Sequence, residues 1–125
     1  MSRERQPYVT VTIANNASAS SAFELSGWHI VGVISPAAWT GADITFSVDP
    51  TGAGTFYPVV DAAAGAVIRL TGIGTSTAEF HAMPAASSYP FITGQDAKVL
   101  STNTASEAAV NQGGARTLIV VIAPN

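Results

Sequence analysis

Trp39–Val60, W-T-G-A-D-I-T-F-S-V-D-P-T-G-A-G-T-F-Y-P-V-V, is the stretch whose reading decides the fold. Ile44, Phe46 and Val48 alternate with Thr45, Ser47 and Asp49. One face of an extended segment is then apolar and the other polar, the period-two pattern of a half-buried strand. Asp49-Pro-Thr-Gly-Ala-Gly54 follows, and Thr55–Val60 is a second extended run. Pro50 presets φ for a turn, while Gly52 and Gly54 reach positive φ without a Cβ clash. The stretch therefore predicts a β-hairpin whose inward side chains nucleate a core between two sheets.

Working outward, Tyr8–Ala14 alternates strictly, with Val9, Val11 and Ile13 on one side, and predicts a first strand. Residues 1–7 are a polar arm, and Arg3, Arg5 and Tyr8 are candidates for contact with a neighbour. Phe23–Leu25 predicts a short strand closed by Ser26-Gly27, and Trp28–Ile34 a longer one, apolar enough to be covered on both faces. Ser35-Pro36 ends it, since proline donates nothing to a ladder. Beyond the hairpin, Ala66–Leu70, a weak segment within Thr75–Met83, Phe91–Thr93 and Lys98–Leu100 read as strands, with Ser101–Gly114 a polar loop. Thr117–Ala123 carries no charge and would be an aggregation hazard at a sheet edge, so it belongs at a sheet centre, paired on both sides. Short strands, frequent turns and no helix-period segment give an all-β chain, an antiparallel β-sandwich or jelly roll formed by residues 8–125.

The composition narrows function. At 125 residues the chain suits one domain. It contains no cysteine, so disulfides, thiolate zinc sites and cysteine nucleophiles are all excluded. Charged residues are 10% of the chain, against about a quarter in typical soluble domains. The net charge is −3 and the basic residues Arg3, Arg5, Arg69, Lys98 and Arg116 are scattered, which argues against a nucleic-acid partner. No apolar segment is long enough to span a bilayer, and no secretory signal precedes the first strand. So little charge on a free monomer is poor for solubility, which suggests that other subunits cover part of the surface.

Chemistry is hard to find. His29 lies in an apolar strand and His81 beside Phe80, neither with ligands at metal spacing. Asp43, Asp49, Asp61 and Asp96 sit at strand ends and turns, where Asp side chains bond backbone amides. Gly52-Ala-Gly54 and Gly72-Ile-Gly74 lack the third glycine and following helix of a dinucleotide site. No catalytic residue, metal site or cofactor is expected. Trp39 is expected to plug one end of the core; with Trp28 and Tyr57 it is also the candidate stacking surface of a carbohydrate-binding module.

The ordered motifs Ile-Ala-Asn-Asn-Ala-Ser (13–18), Leu25–Ile34, Pro36-Ala-Ala-Trp39, Ile44–Asp49, Phe56-Tyr57, Asp61–Gly65 and Val110-Asn-Gln-Gly-Gly-Ala-Arg116 resemble small structural proteins of tailed-phage virions. The likeness runs over nearly the whole chain from Tyr8. It implies a β-sandwich built into the particle: a capsid decoration or cement protein, or a tail, baseplate or head-spike part. The implied location is the virion, assembled in host cytoplasm. The implied partners are the major capsid protein or other virion proteins, with self-assembly into a small oligomer, a trimer favoured. Gln112 and Arg116 are then structural, Gln112 bonding backbone and Arg116 pairing a turn carboxylate.

Overall fold

The computed structural model describes residues 7–61, 65–84 and 96–124, and the side chain of Asp61 lies outside what is described. Arg3, Arg5 and the strand expected at Phe91–Thr93 also fall outside the described residues. The described strands are β1 (Tyr8–Ile13), β2 (Phe23–Glu24), β3 (Trp28–Ser35), β4 (Asp43–Asp49), β5 (Tyr57–Pro58), β6 (Val60–Asp61), β7 (Ala66–Val67), β8 (Arg69–Leu70), β9 (Glu79–Ala82), β10 (Asp96–Thr102) and β11 (Arg116–Pro124). They form two antiparallel sheets, ordered β1-β11-β3-β9 and β2-β10-β4-β5, with β8 also on β4 and a small β6-β7 ribbon. The chain is an all-β antiparallel sandwich.

Pairing is nested about the middle of the chain: β1 with β11, β2 with β10, β3 with β9, and β4 with β5 and β8. Two further ladders, β11 with β3 and β10 with β4, knit these pairs into sheets. β11, with its charge-free run, does lie between two neighbours, β1 along Arg116–Val121 and β3 along Ile119–Pro124, so it is inside the sheet and not at its edge. Its Leu118, Val120 and Ile122 enter the core with Val11 and Ile13 of β1. From the second sheet Ile44, Phe46, Ala97 and Val99 meet them, fully buried.

Three expectations need correction. β4 is buried on both faces, because Asp43, Thr45, Ser47 and Asp49 are each 5% exposed or less. These polar side chains survive burial by bonding locally, as the Asp43 and Asp49 contacts below illustrate. The second arm of the hairpin is not continuous. β5 pairs with Ser47 and Val48, the chain leaves as the β6-β7 ribbon, and β8 returns to Ile44 and Thr45. Val59 and Ile68, both buried, hold the base of that excursion through an Ile68 N–H to Val59 carbonyl bond of 3.0 Å. Finally, Ser101 and Thr102 belong to β10 rather than to a loop, and both are buried.

β3 departs from simple alternation. Its register against β11 shifts between Val121 and Ile122, leaving Val31 as an extra residue. This bulge lets Ile30 and Val33, three positions apart, both point into the core at 0% exposure. Val31 turns its carbonyl to the Met83 amide at 2.9 Å. Next to the bulge, the Phe80 ring lies over Gly32, so close that a Cβ there would stand 2.5 Å from ring carbons and 2.8 Å from the His81 carbonyl oxygen.

Candidate functional site

Gln112 is completely buried and gathers three separated segments. Its Oε1 accepts from the Thr40 amide (2.8 Å) and from Arg116 Nε (3.2 Å). Its Nε2 donates to the Thr40 carbonyl (3.2 Å) and to Ser101 Oγ (2.8 Å). The Gln112 backbone closes a further exchange with the first loop, donating to the Ala17 carbonyl and accepting from the Asn16 amide, each 2.9 Å. A side chain with two donors and two acceptor lone pairs is thereby saturated, which is what allows it to be buried. The Asn-Asn-Ala loop, the segment after Pro36-Ala-Ala-Trp39 and the Val110–Arg116 segment are thus bolted together at one centre.

Arg116 differs from its expected role. No carboxylate faces it among the described residues; besides Gln112 its guanidinium reaches Thr40 Oγ1 at 3.4 Å, and the Gly113 amide donates to the same hydroxyl at 3.0 Å. Gly114 leaves the guanidinium room, since a Cβ there would come within 3.1 Å of it. Trp39 lies beside this centre, 3% exposed, with its indole N–H donating to the Ala42 carbonyl at 3.1 Å. Its ring has no open face for a sugar. Trp28 begins β3 in the first sheet and Tyr57 lies in β5 of the second, so no shared aromatic platform forms with either. Thr40, on which most of these bonds converge, was not singled out by sequence; its position directly after Trp39 was the only signal.

A second polar centre binds β8 to β4. Asp43 accepts from Arg69 (2.7 Å) and from the Thr104 hydroxyl (2.7 Å), and Arg69 also pairs with Glu107. At the hairpin turn, Asp49 accepts from the amides of Thr51 (3.3 Å), Gly52 (3.0 Å) and Gly54 (2.8 Å). Gly52 and Gly54 have φ of 73° and 87°, the left-handed region. Lys98 sits over the Phe56 ring at 4.3 Å. His81 Nε2 lies 3.2 Å from Glu79 Oε1 without hydrogen-bond alignment. Among the described residues no three His, Asp or Glu side chains are placed to hold a metal. A shallow cleft of about 330 Å³ lined by Asp43, Asn103 and Thr104 has its carboxylate already engaged.

What remains chemically open is a surface. Antiparallel partners share a face, so the outer side of the first sheet is read directly from the register. It presents Tyr8, Thr10 and Thr12 of β1, Thr117, Ile119 and Val121 of β11, Ile34 of β3, and Phe80 and Ala82 of β9. Tyr8 is 62% and Phe80 55% exposed. None of these positions is Asp, Glu, Lys or Arg. The face mixes Tyr, Phe, Ile and Val with threonines and carries no formal charge at these positions.

No protein-family model matches the chain, and neither a curated protein nor a solved structure matches it.

Proposed function

We propose that this protein is a structural component of a tailed-phage virion, a decoration or cement protein that binds between capsomers and stabilises the head. The observation that carries this reading is the charge-free outer face of the β1-β11-β3-β9 sheet, on a chain whose polar centres are spent on holding its own loops. A protein built to be covered needs few charges, and this one has few. The resemblance in sequence supports the same class, and its separated motifs meet at Gln112 and Thr40 as parts of one scaffold. Nested pairing with successive strands passing between sheets also supports a jelly-roll reading, an architecture used by capsid proteins as well as by lectins and cupins.

The mechanism is mass action rather than catalysis. A protein that binds the assembled shell, and not its separated subunits, lowers the free energy of the shell by RT ln(1 + [L]/Kd) at each site. The major capsid protein is the proposed partner, contacted through apolar surface by a small homo-oligomer. Deleting the gene tests the reading. Particles that lose resistance to heat or low salt, yet adsorb to host cells normally, support a head decoration. Lost adsorption with intact heads moves the protein to the tail, baseplate or spike. Particles unchanged in both respects overturn a virion role.

A further inference from the structure

We infer that β1 is a self-pairing edge: two copies of this chain join β1 to β1 antiparallel across a two-fold axis at Val9, continuing the first sheet from one copy into the next. The phase of the β1-β11 ladder carries the geometry. Ile122 N–H donates to the Pro7 carbonyl at 3.0 Å, so by alternation Val9 and Val11 also turn their backbone groups toward β11. Tyr8 and Thr10 turn theirs the other way, to the open edge. Among the described residues the only pairing on that side is a bridge between Ile13 and Ser20, at the far end of the strand.

Open edges are usually guarded by charge, proline or a bulge, and Tyr8–Thr12 has none of these. The opposite edge of the same sheet is guarded. β9 contains Glu79 within its four residues. A ring in which β1 of one copy meets β9 of the next therefore brings the Glu79 charge into the seam, whereas β1 meeting β1 brings none at Tyr8–Thr12.

The edge is also complementary to itself. A two-fold at Val9 sets Tyr8 opposite Thr10 of the second copy, and Thr10 opposite Tyr8. Both are positions whose amide and carbonyl point outward, so each pair exchanges N–H···O bonds in both directions. The Tyr8 ring then packs beside a β-branched Thr10 on the outer face, a favourable cross-strand pair. Because that face carries no formal charge at the positions given above, two copies meet without like-charge repulsion. The contact is isologous and closes at two copies, as edge pairing must if it is not to propagate into fibres. This inference concerns the isolated chain and does not rest on the virion reading.

The test uses the full chain and measures mass by light scattering across the micromolar range. The wild type is expected as a dimer. Thr10→Pro removes an outward donor while sparing every bond to β11, so it is expected to give a monomer with an unchanged circular dichroism spectrum and a melting temperature that no longer depends on protein concentration. Should Thr10→Pro lose its fold, Thr10→Lys, which places like charges across the axis, is the replacement and is expected to be monomeric. Val9→Cys provides the register. In a chain without cysteine it is a single thiol, and opposed non-hydrogen-bonded residues have Cα atoms about 4.5 Å apart, within disulfide reach. Mild oxidation is expected to link most of it as a dimer. A wild-type monomer or trimer, a folded Thr10 variant that stays dimeric, or no cross-link through Val9 would each overturn the inference.

Discussion

At the scale of single residues, a few buried polar side chains hold separated segments together, and Gln112 is the fullest case. Gln112→Ala deletes a side chain engaged with Thr40, Ser101 and Arg116 and leaves the Thr40 amide and the buried Ser101 hydroxyl without partners. The expected loss is about 3 kcal/mol in urea unfolding, with Arg116→Ala costing clearly less because its guanidinium is only half-buried. Gly32→Ala is expected to cost about 1–3 kcal/mol, since the new methyl would overlap the Phe80 ring and the His81 carbonyl, and the backbone oxygen cannot swing aside. Sequence reading picked out Gln112 and Arg116 by the motif around them, and could not supply their neighbours. Thr40 lies 72 residues from Gln112, and a contact that distant leaves no trace in local spacing. The carboxylate expected for Arg116 came with the resemblance, and among the described residues an amide oxygen and a hydroxyl stand there instead.

At the scale of elements, period-two patterning was a good guide to strands and a poor one to their environment. β1 and β4 lie where alternation put them, β11 lies where the uncharged run put it, and Ile44 and Phe46 point inward as expected. Burial of the opposite face of β4 was not legible, because Thr, Ser and Asp look the same whether water or a neighbouring loop satisfies them. The bulge in β3 did leave a sign: Gly32 inside an apolar run is the residue type that marks such an irregularity. The turn after β4 was written plainly in Asp49-Pro50-Thr51-Gly52-Ala53-Gly54, down to the carboxylate that collects its amides. Asp49→Ala is expected to destabilise the fold by about 1–3 kcal/mol, measured by thermal or urea unfolding, because three amides lose their acceptor at once. The sheet order itself came from pairing between distant segments, which periodicity does not encode.

At the scale of the whole molecule, the proposal that this chain works by being covered rests on its low charge and on one sheet face without formal charge. Composition raised that expectation, and the register of β1, β11, β3 and β9 shows which side chains share the outer face proposed for it. The claim that it serves in a phage particle is tested most directly by counting it there. Quantitative mass spectrometry of purified particles gives the copy number of this chain relative to the major capsid protein. The account predicts hundreds of copies, in fixed proportion to the shell; absence from the particle would contradict it.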